Sequence, residues 1–281
     1  MPNHSPWTLL SLLPFLAQAQ PVPPCSNCAV WNTRQEPLHL YGNTYYVGTH
    51  GLSSILITSK AGHVLIDGAL PESAPLIAAN IRTLGFRIED VKLIANSHAH
   101  FDHAGGIAAL QRLSGARVVA SPWSAPVMKT GAVARDDPQF GIIRPIAPIA
   151  RVEVLHDAED FQVGDIVMTA HLTPGHTPGG TSWTWTSCQA SRCLHMVYAD
   201  SITAVSAPQY KFGLHPGAAA AFEKSFAFLD SVACDILLTP HPDASGLWDR
   251  VGGSLVDPGA CRGYVANGRE SLKRTLASET K

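Results

Sequence analysis

Three histidines and an aspartate fall within one short run, Ser97-His98-Ala99-His100-Phe101-Asp102-His103. Alternate side chains of an extended segment point the same way, so His98 and His100 share a side, and Asp102 and His103 follow as the chain turns. Imidazole nitrogen and carboxylate oxygen are the donors that zinc-type divalent cations take. The run is too short to close two four-coordinate sites, so further ligands must come from elsewhere. His176 lies in Thr173-Pro174-Gly175-His176-Thr177-Pro178-Gly179-Gly180, and His241 in Thr239-Pro240-His241-Pro242. The chemistry such a set supports is metal-assisted hydrolysis. No protein nucleophile competes with it: there is no G-x-S-x-G, and the one S-x-x-K is the chain's last four residues, Ser278 to Lys281.

These pieces need elements that carry them to one place. Residues 91–95 read as a buried strand running straight into the histidine run, which is too polar to be a regular element. Residues 45–47, 54–58, 64–67 and 117–120 read as further strands. Leu76, Ile77, Ile81 and Leu84 follow helical spacing within a helix over 71–84 that Gly85 can end, and 105–113 reads as a second helix. Residues 122–148 are rich in Pro and Gly, a long surface loop of the kind that walls a site. The second half repeats the layout, with strands at 151–155, 166–172, 182–186, 196–199 and 235–239, a helix at 218–229, and helical character in the remainder. Both His176 and His241 then follow strands. Two sheets covered by helices, an α/β sandwich of four layers, accommodate this order.

The 281 residues are 46% hydrophobic and 15% charged, enough apolar material for a sizeable core. Lys and Arg number 20 against 22 Asp and Glu, a net charge of −2, which speaks against a nucleic-acid binder. No apolar run reaches the length of a membrane span. No Lys, Arg, Asp or Glu precedes Arg34. Apolar stretches at 9–13 and 15–17, followed by Ala17-Gln18-Ala19, read as a signal peptide over 1–19 for export to the periplasm. A Pro-rich N-terminal segment over 20–33 then leads into a single domain over 34–281. Six cysteines suit an oxidising compartment. Cys188 and Cys193 could staple a hairpin, and a Cys234–Cys261 bridge would close a long loop. Cys25 and Cys28 read as a local disulfide or free thiols, and the sequence alone leaves connectivity open.

The H-A-H-F-D-H run, the loop histidine and the strand-end histidine resemble the metallo-β-lactamase superfamily. Tyr41 to Gly48, Ala104-Gly105-Gly106, residues 174–185 and Tyr198-Ala199-Asp200-Ser201 resemble subclass B3 in particular. The resemblance covers nearly all the chain after residue 19. It implies an αββα fold and two zinc ions, one on His98, His100 and His176, the other on Asp102, His103 and His241. Ser201 would stand where other subclasses have a metal-binding cysteine. It implies hydrolysis of the lactam amide of β-lactam antibiotics, carbapenems included, by a zinc-activated water that Asp102 orients. Such an enzyme confers antibiotic resistance, and relatives of this subclass are mostly monomers.

Further residues have two readings each. Ser201 and Thr203, one strand-spacing apart, could both face a substrate carboxylate or make ordinary loop hydrogen bonds. Gln139 and Trp123 could wall the cleft or sit on the surface. Asp67 could orient a ligand histidine or cap a turn. Trp183 and Trp185 read as packing, and no role follows for His50. Two rival functions stand beside the lactamase. One is a glyoxalase II-like thioesterase or lactonase of the same superfamily, in which an aspartate at about Asp200 would bridge the metals. The other is a non-catalytic zinc-binding protein.

Overall fold

The structure, a computed structural model, describes Met1 and residues 23–280. The expected signal peptide over 1–19 therefore lies outside the described residues, apart from Met1. In chain order the strands are β1 (Leu38–Tyr41), β2 (Thr44–Tyr46), β3 (Ile55–Ser59), β4 (Gly62–Ile66), β5 (Val91–Ala95) and β6 (Arg117–Ala120), then β7 (Glu153–Val154), β8 (Asp160–Val163), β9 (Ile166–Leu172), β10 (Thr181–Gln189), β11 (Arg192–Tyr198) and β12 (Ile236–Leu238). The helices are α1 (Cys28–Trp31), α2 (Ala74–Thr83), α3 (Phe101–Ala104), α4 (Ile107–Ser114), α5 (Ser124–Thr130), α6 (Ala218–Ser231), α7 (Leu247–Arg250) and α8 (Ala260–Glu279).

Strand alternation explains the layers. Ile55 and Ile57 of β3, with Val64 and Ile66 of β4, face Met168, Trp183, Trp185, Met196 and Tyr198 across the gap between the sheets. The intervening Leu56 and Leu65 point the other way, onto Ile77 and Ile81 of α2 and Ile107 and Leu110 of α4. In the second sheet Val197 and Leu237 turn outward onto Phe222, Phe226 and Leu229 of α6 and Val265 of α8. Side chains of period two thus feed three apolar layers between four layers of structure. Both tryptophans fill the inter-sheet core, and truncating Trp183 to Ala would cost about 3–5 kcal/mol.

The first sheet runs in the order β1 to β7. Its first four strands form an antiparallel meander, and β4 to β7 are parallel. The second sheet runs β12-β11-β10-β9-β8, with β11 and β12 parallel and the rest antiparallel. The C-terminal ends of β5 and β6 therefore share one edge, and those of β9, β11 and β12 share the matching edge of the other sheet. The Thr181 amide donates to Ser97 O across that edge at 2.8 Å.

Three expectations need correction. The histidine run is not wholly irregular: residues 101–104 form α3, because the Ala104 amide donates back to His100 O at 2.8 Å and the Gly105 amide to Phe101 O at 3.1 Å. The loop over 122–148 contains α5, whose buried Ala125 and Met128, three apart, pack onto the α2–α4 layer. Strands β1 and β8 had no sequence assignment; both are four-residue strands at a sheet edge, too short for their alternation to stand out. The cysteines pair as Cys25–Cys28, Cys188–Cys193 across the β10–β11 hairpin, and Cys234–Cys261 between the approach to β12 and α8.

Candidate metal centre

All six residues singled out as ligands meet at the shared edge. Nitrogen atoms of His98, His100 and His176 lie within 4.8 Å of one another, and so do ligand atoms of Asp102, His103 and His241. The trios adjoin: the His98 and His103 ring centroids are 4.5 Å apart. Each arrives by its own route. His98 and His100 ride on the extended exit from β5, Asp102 and His103 on the first turn of α3, His176 on the β9–β10 loop, and His241 directly after β12. The β9–β10 loop needs its glycines. Gly175 has φ of +150°, and a Cβ there would come within 2.6 Å of the Phe222 ring. A Cβ on Gly180 would meet Thr173 O at 2.3 Å and Asp200 Oδ2 at 2.5 Å.

Hydrogen bonds decide which ring nitrogen each histidine offers. His98 Nδ1 donates to Asp200 Oδ1 at 2.6 Å, leaving Nε2 buried and without a partner. His100 Nε2 donates to Asp137 Oδ2 at 3.0 Å, leaving Nδ1. His176 Nδ1 donates to Thr203 O at 2.8 Å, and its Nε2 accepts from the Gln139 side-chain amide at 3.2 Å. An orphaned buried imidazole nitrogen amid two more rings suits a divalent cation and little else. Burial, reinforced by the neighbouring rings, pushes His176 down to about 3 and His98 well below the ordinary imidazole range, so both are neutral at pH 7.

The second trio is organised by charge. Asp102 Oδ2 lies 3.3 Å from both His103 Nε2 and His241 Nε2. Burial works against ionisation of Asp102, but His103 and then His241 hold its carboxyl well below the usual carboxylate range. Burial likewise opposes a charge on His103, yet Asp102 pulls that ring above its ordinary value. The donor set of two nitrogens and one oxygen fits a divalent cation.

Asp67 does not touch a ligand histidine. It is fully buried with φ of +60°, and its carboxylate accepts from the Ser97 amide (2.8 Å), Ser97 Oγ (2.6 Å), Asn96 Nδ2 (3.1 Å) and Tyr198 OH (2.8 Å). It fixes the backbone from which the histidine run departs, closer to the turn-holding alternative. Burial pushes its carboxyl up to about 6.

Asp200 stands behind His98, on the nitrogen opposite the trio, and burial pushes it up to about 6. Ser201 is buried and Thr203 exposed. The segment carrying them is not a strand, and Thr203 Oγ1 lies 3.3 Å from His176 Nδ1. Gln139 is buried against the first trio, and Trp123 donates to Asp136 Oδ2 at 2.9 Å. His50 stacks on Trp248 with centroids 4.7 Å apart, and its Nδ1 lies 3.1 Å from Gln35 Oε1. Asp137 and Trp31, whose ring lies 5.2 Å from His241, were missed. Neither sits in a motif, and each meets its partner only through the fold.

The family model described as the metallo-beta-lactamase superfamily matches residues 47–190. Rm3 metallo-beta-lactamase is 55% identical, with 92% of this chain and 100% of that chain covered and a TM-score of 0.90. MEM-A1, a subclass B3 metallo-beta-lactamase isolated from a soil metagenome library, is 47% identical over 89% and 98% of the two chains, with a TM-score of 0.87. MIM-1 from Novosphingobium pentaromativorans is 44% identical over 89% and 93%, with a TM-score of 0.85.

Proposed function

The chain belongs to the metallo-β-lactamase superfamily, and from that premise we propose that it is a periplasmic subclass B3 enzyme that hydrolyses the lactam amide of β-lactam antibiotics, carbapenems included, with two zinc ions. Family membership makes it a metal-dependent hydrolase. The observation that carries the reading is the pair of adjoining trios, each with ligand atoms within 4.8 Å of one another.

In this reading His98, His100 and His176 hold one ion, and Asp102, His103 and His241 the other. Ions held there supply Lewis acidity toward a carbonyl and lower the pKa of a water to about 7. The chain's own residues do the rest. Burial keeps His98 and His176 neutral, so their lone pairs stay available. Asp102 stays ionised; with Oδ2 engaged by His103 and His241, its Oδ1 is the oxygen left to orient the attacking water. Gln139 and Thr203, both bonded to His176, and Ser201 two residues before Thr203 would meet the substrate's polar groups. Resistance to β-lactams follows from such turnover in the periplasm. Export rests on the 1–19 leader pattern, and three disulfides suit that compartment. A single domain over 34–281 and a monomer complete the reading.

The position of Asp200 weighs against a thioesterase or lactonase, because its Oδ1 is spent on the outer nitrogen of His98. The test is hydrolysis of a chromogenic cephalosporin, a penicillin and a carbapenem, with and without chelator. Turnover of all three that chelator abolishes and zinc restores is the expected result. Turnover untouched by chelator would remove the metal from the account. No β-lactam turnover by the zinc-loaded protein, alongside thioester or lactone cleavage, would move it to the rival hydrolases.

A further inference from the structure

Each histidine of the first trio has its other nitrogen occupied, two by acceptors from the segment after β11 and one by an acceptor from the α5–β7 connection. Asp200 follows β11, Thr203 O lies three residues on, and Asp137 lies in the connection between α5 and β7. Asp137 alone of these bonds to Nε2 rather than Nδ1, so it alone reverses the ring. Its side chain is 2% exposed. Its Oδ1 also accepts from the Gln139 amide at 2.8 Å, and the Gln139 side chain reaches His176 Nε2. The backbone on either side is tied as well. The Asp137 amide donates to Ala134 O at 3.2 Å, the Phe140 amide to Asp137 O at 2.9 Å, and the Ala207 amide to Pro138 O at 2.8 Å.

We infer that Asp137 is a positioning residue for the first metal site: it sets His100 to present Nδ1. His100 has two ring nitrogens, and only the one facing away from Asp137 can donate a lone pair to an ion. Without the carboxylate the ring is free to rotate or to place its proton on Nδ1. The first trio would then offer two committed donors instead of three. Outer partners of ligand histidines typically contribute about 10–100-fold in metal affinity. The Asp137 carboxylate bonds His100 and the Gln139 amide and none of Asp102, His103 or His241, so the effect falls on one of the two ions.

This inference rests on the metal-binding part of the proposed function and not on the substrate. The test is zinc binding by the whole protein in competition with a chromogenic chelator, resolved into two equivalents. Alongside it, a long-range proton–nitrogen spectrum of the imidazoles in the zinc-loaded wild type reads which nitrogen of His100 is metallated. We expect His100 metallated at Nδ1, with a protected Nε2–H. Asp137→Ala should weaken one equivalent about 10–100-fold and leave the other unchanged. Asp137→Asn, whose amide oxygen can still accept from Nε2–H, should recover most of that loss. Glu153→Gln, an exposed change on β7, should change neither equivalent. His100 metallated at Nε2 in the wild type would overturn the inference without any variant having to fold. Asp137→Ala binding both equivalents at wild-type affinity, or losing both equally, would overturn it too. A wild type that takes up no zinc would overturn the site reading itself, and this inference with it.

Discussion

In the His98, His100, His176 trio every ring has its outer nitrogen taken by an oxygen acceptor, whereas in the other trio His103 Nδ1 is buried without a partner and the His241 side chain is 32% exposed. The first trio is held by directional hydrogen bonds from two loops, the segment after β11 and the α5–β7 connection. The second is held by the charge of Asp102, with Trp31 resting on His241 from the N-terminal segment. Hydrogen bonds fix which atom faces the ion before it arrives; a shared charge draws two rings together without fixing their rotation. The comparison teaches that one edge of the fold contains a preorganised site beside a more adaptable one. The first should therefore retain its ion more tightly than the second.

Substitutions that strike one trio and spare the other sharpen this difference. His98→Ala removes a fully buried ligand and should abolish binding of the first equivalent. Hydrolysis should fall by about a thousandfold or more, since metal activation supplies several kcal/mol of the barrier reduction. Steady-state rates and zinc stoichiometry check both. Asp67→Asn places an amide donor among four donors beneath the histidine run and leaves a positive-φ backbone unsupported. Urea unfolding should show a loss of about 3 kcal/mol. Asp200→Ala frees the His98 ring and should weaken the first equivalent about 10–100-fold with the second unchanged, as read by chelator competition. Trp31→Ala takes one aromatic contact from His241 and should weaken only the second equivalent, by about 2- to 10-fold in the same titration. If Asp200→Ala and Trp31→Ala weakened the same equivalent, the two-site comparison would fail.

The six converging residues could be read from the sequence because all of them sit in short signatures: a dense His/Asp run after an apolar strand, and histidines beside prolines after strand ends. The four layers could be read because residues such as Ile55, Leu56 and Ile57 alternate cleanly between two apolar neighbours. What supports the ligands was hidden. Asp200 acts on a histidine 102 positions away and Asp137 on one 37 positions away, and an isolated acid in a loop carries no mark of its partner. Helix α5 was masked by the Pro and Gly around it, since about two turns give too little period to detect. The chain leaves β11 before reaching Ser201 and Thr203, and the bond from Thr203 O to His176 had no mark in the sequence.

The most direct measurement is anomalous diffraction at the zinc edge from crystals of the zinc-loaded protein. Two peaks should appear, one enclosed by His98 Nε2, His100 Nδ1 and His176 Nε2, the other by Asp102, His103 and His241, with occupancy on soaking in chelator falling first at the second. Zinc found elsewhere, no zinc at all, or the first peak emptying before the second would contradict the account.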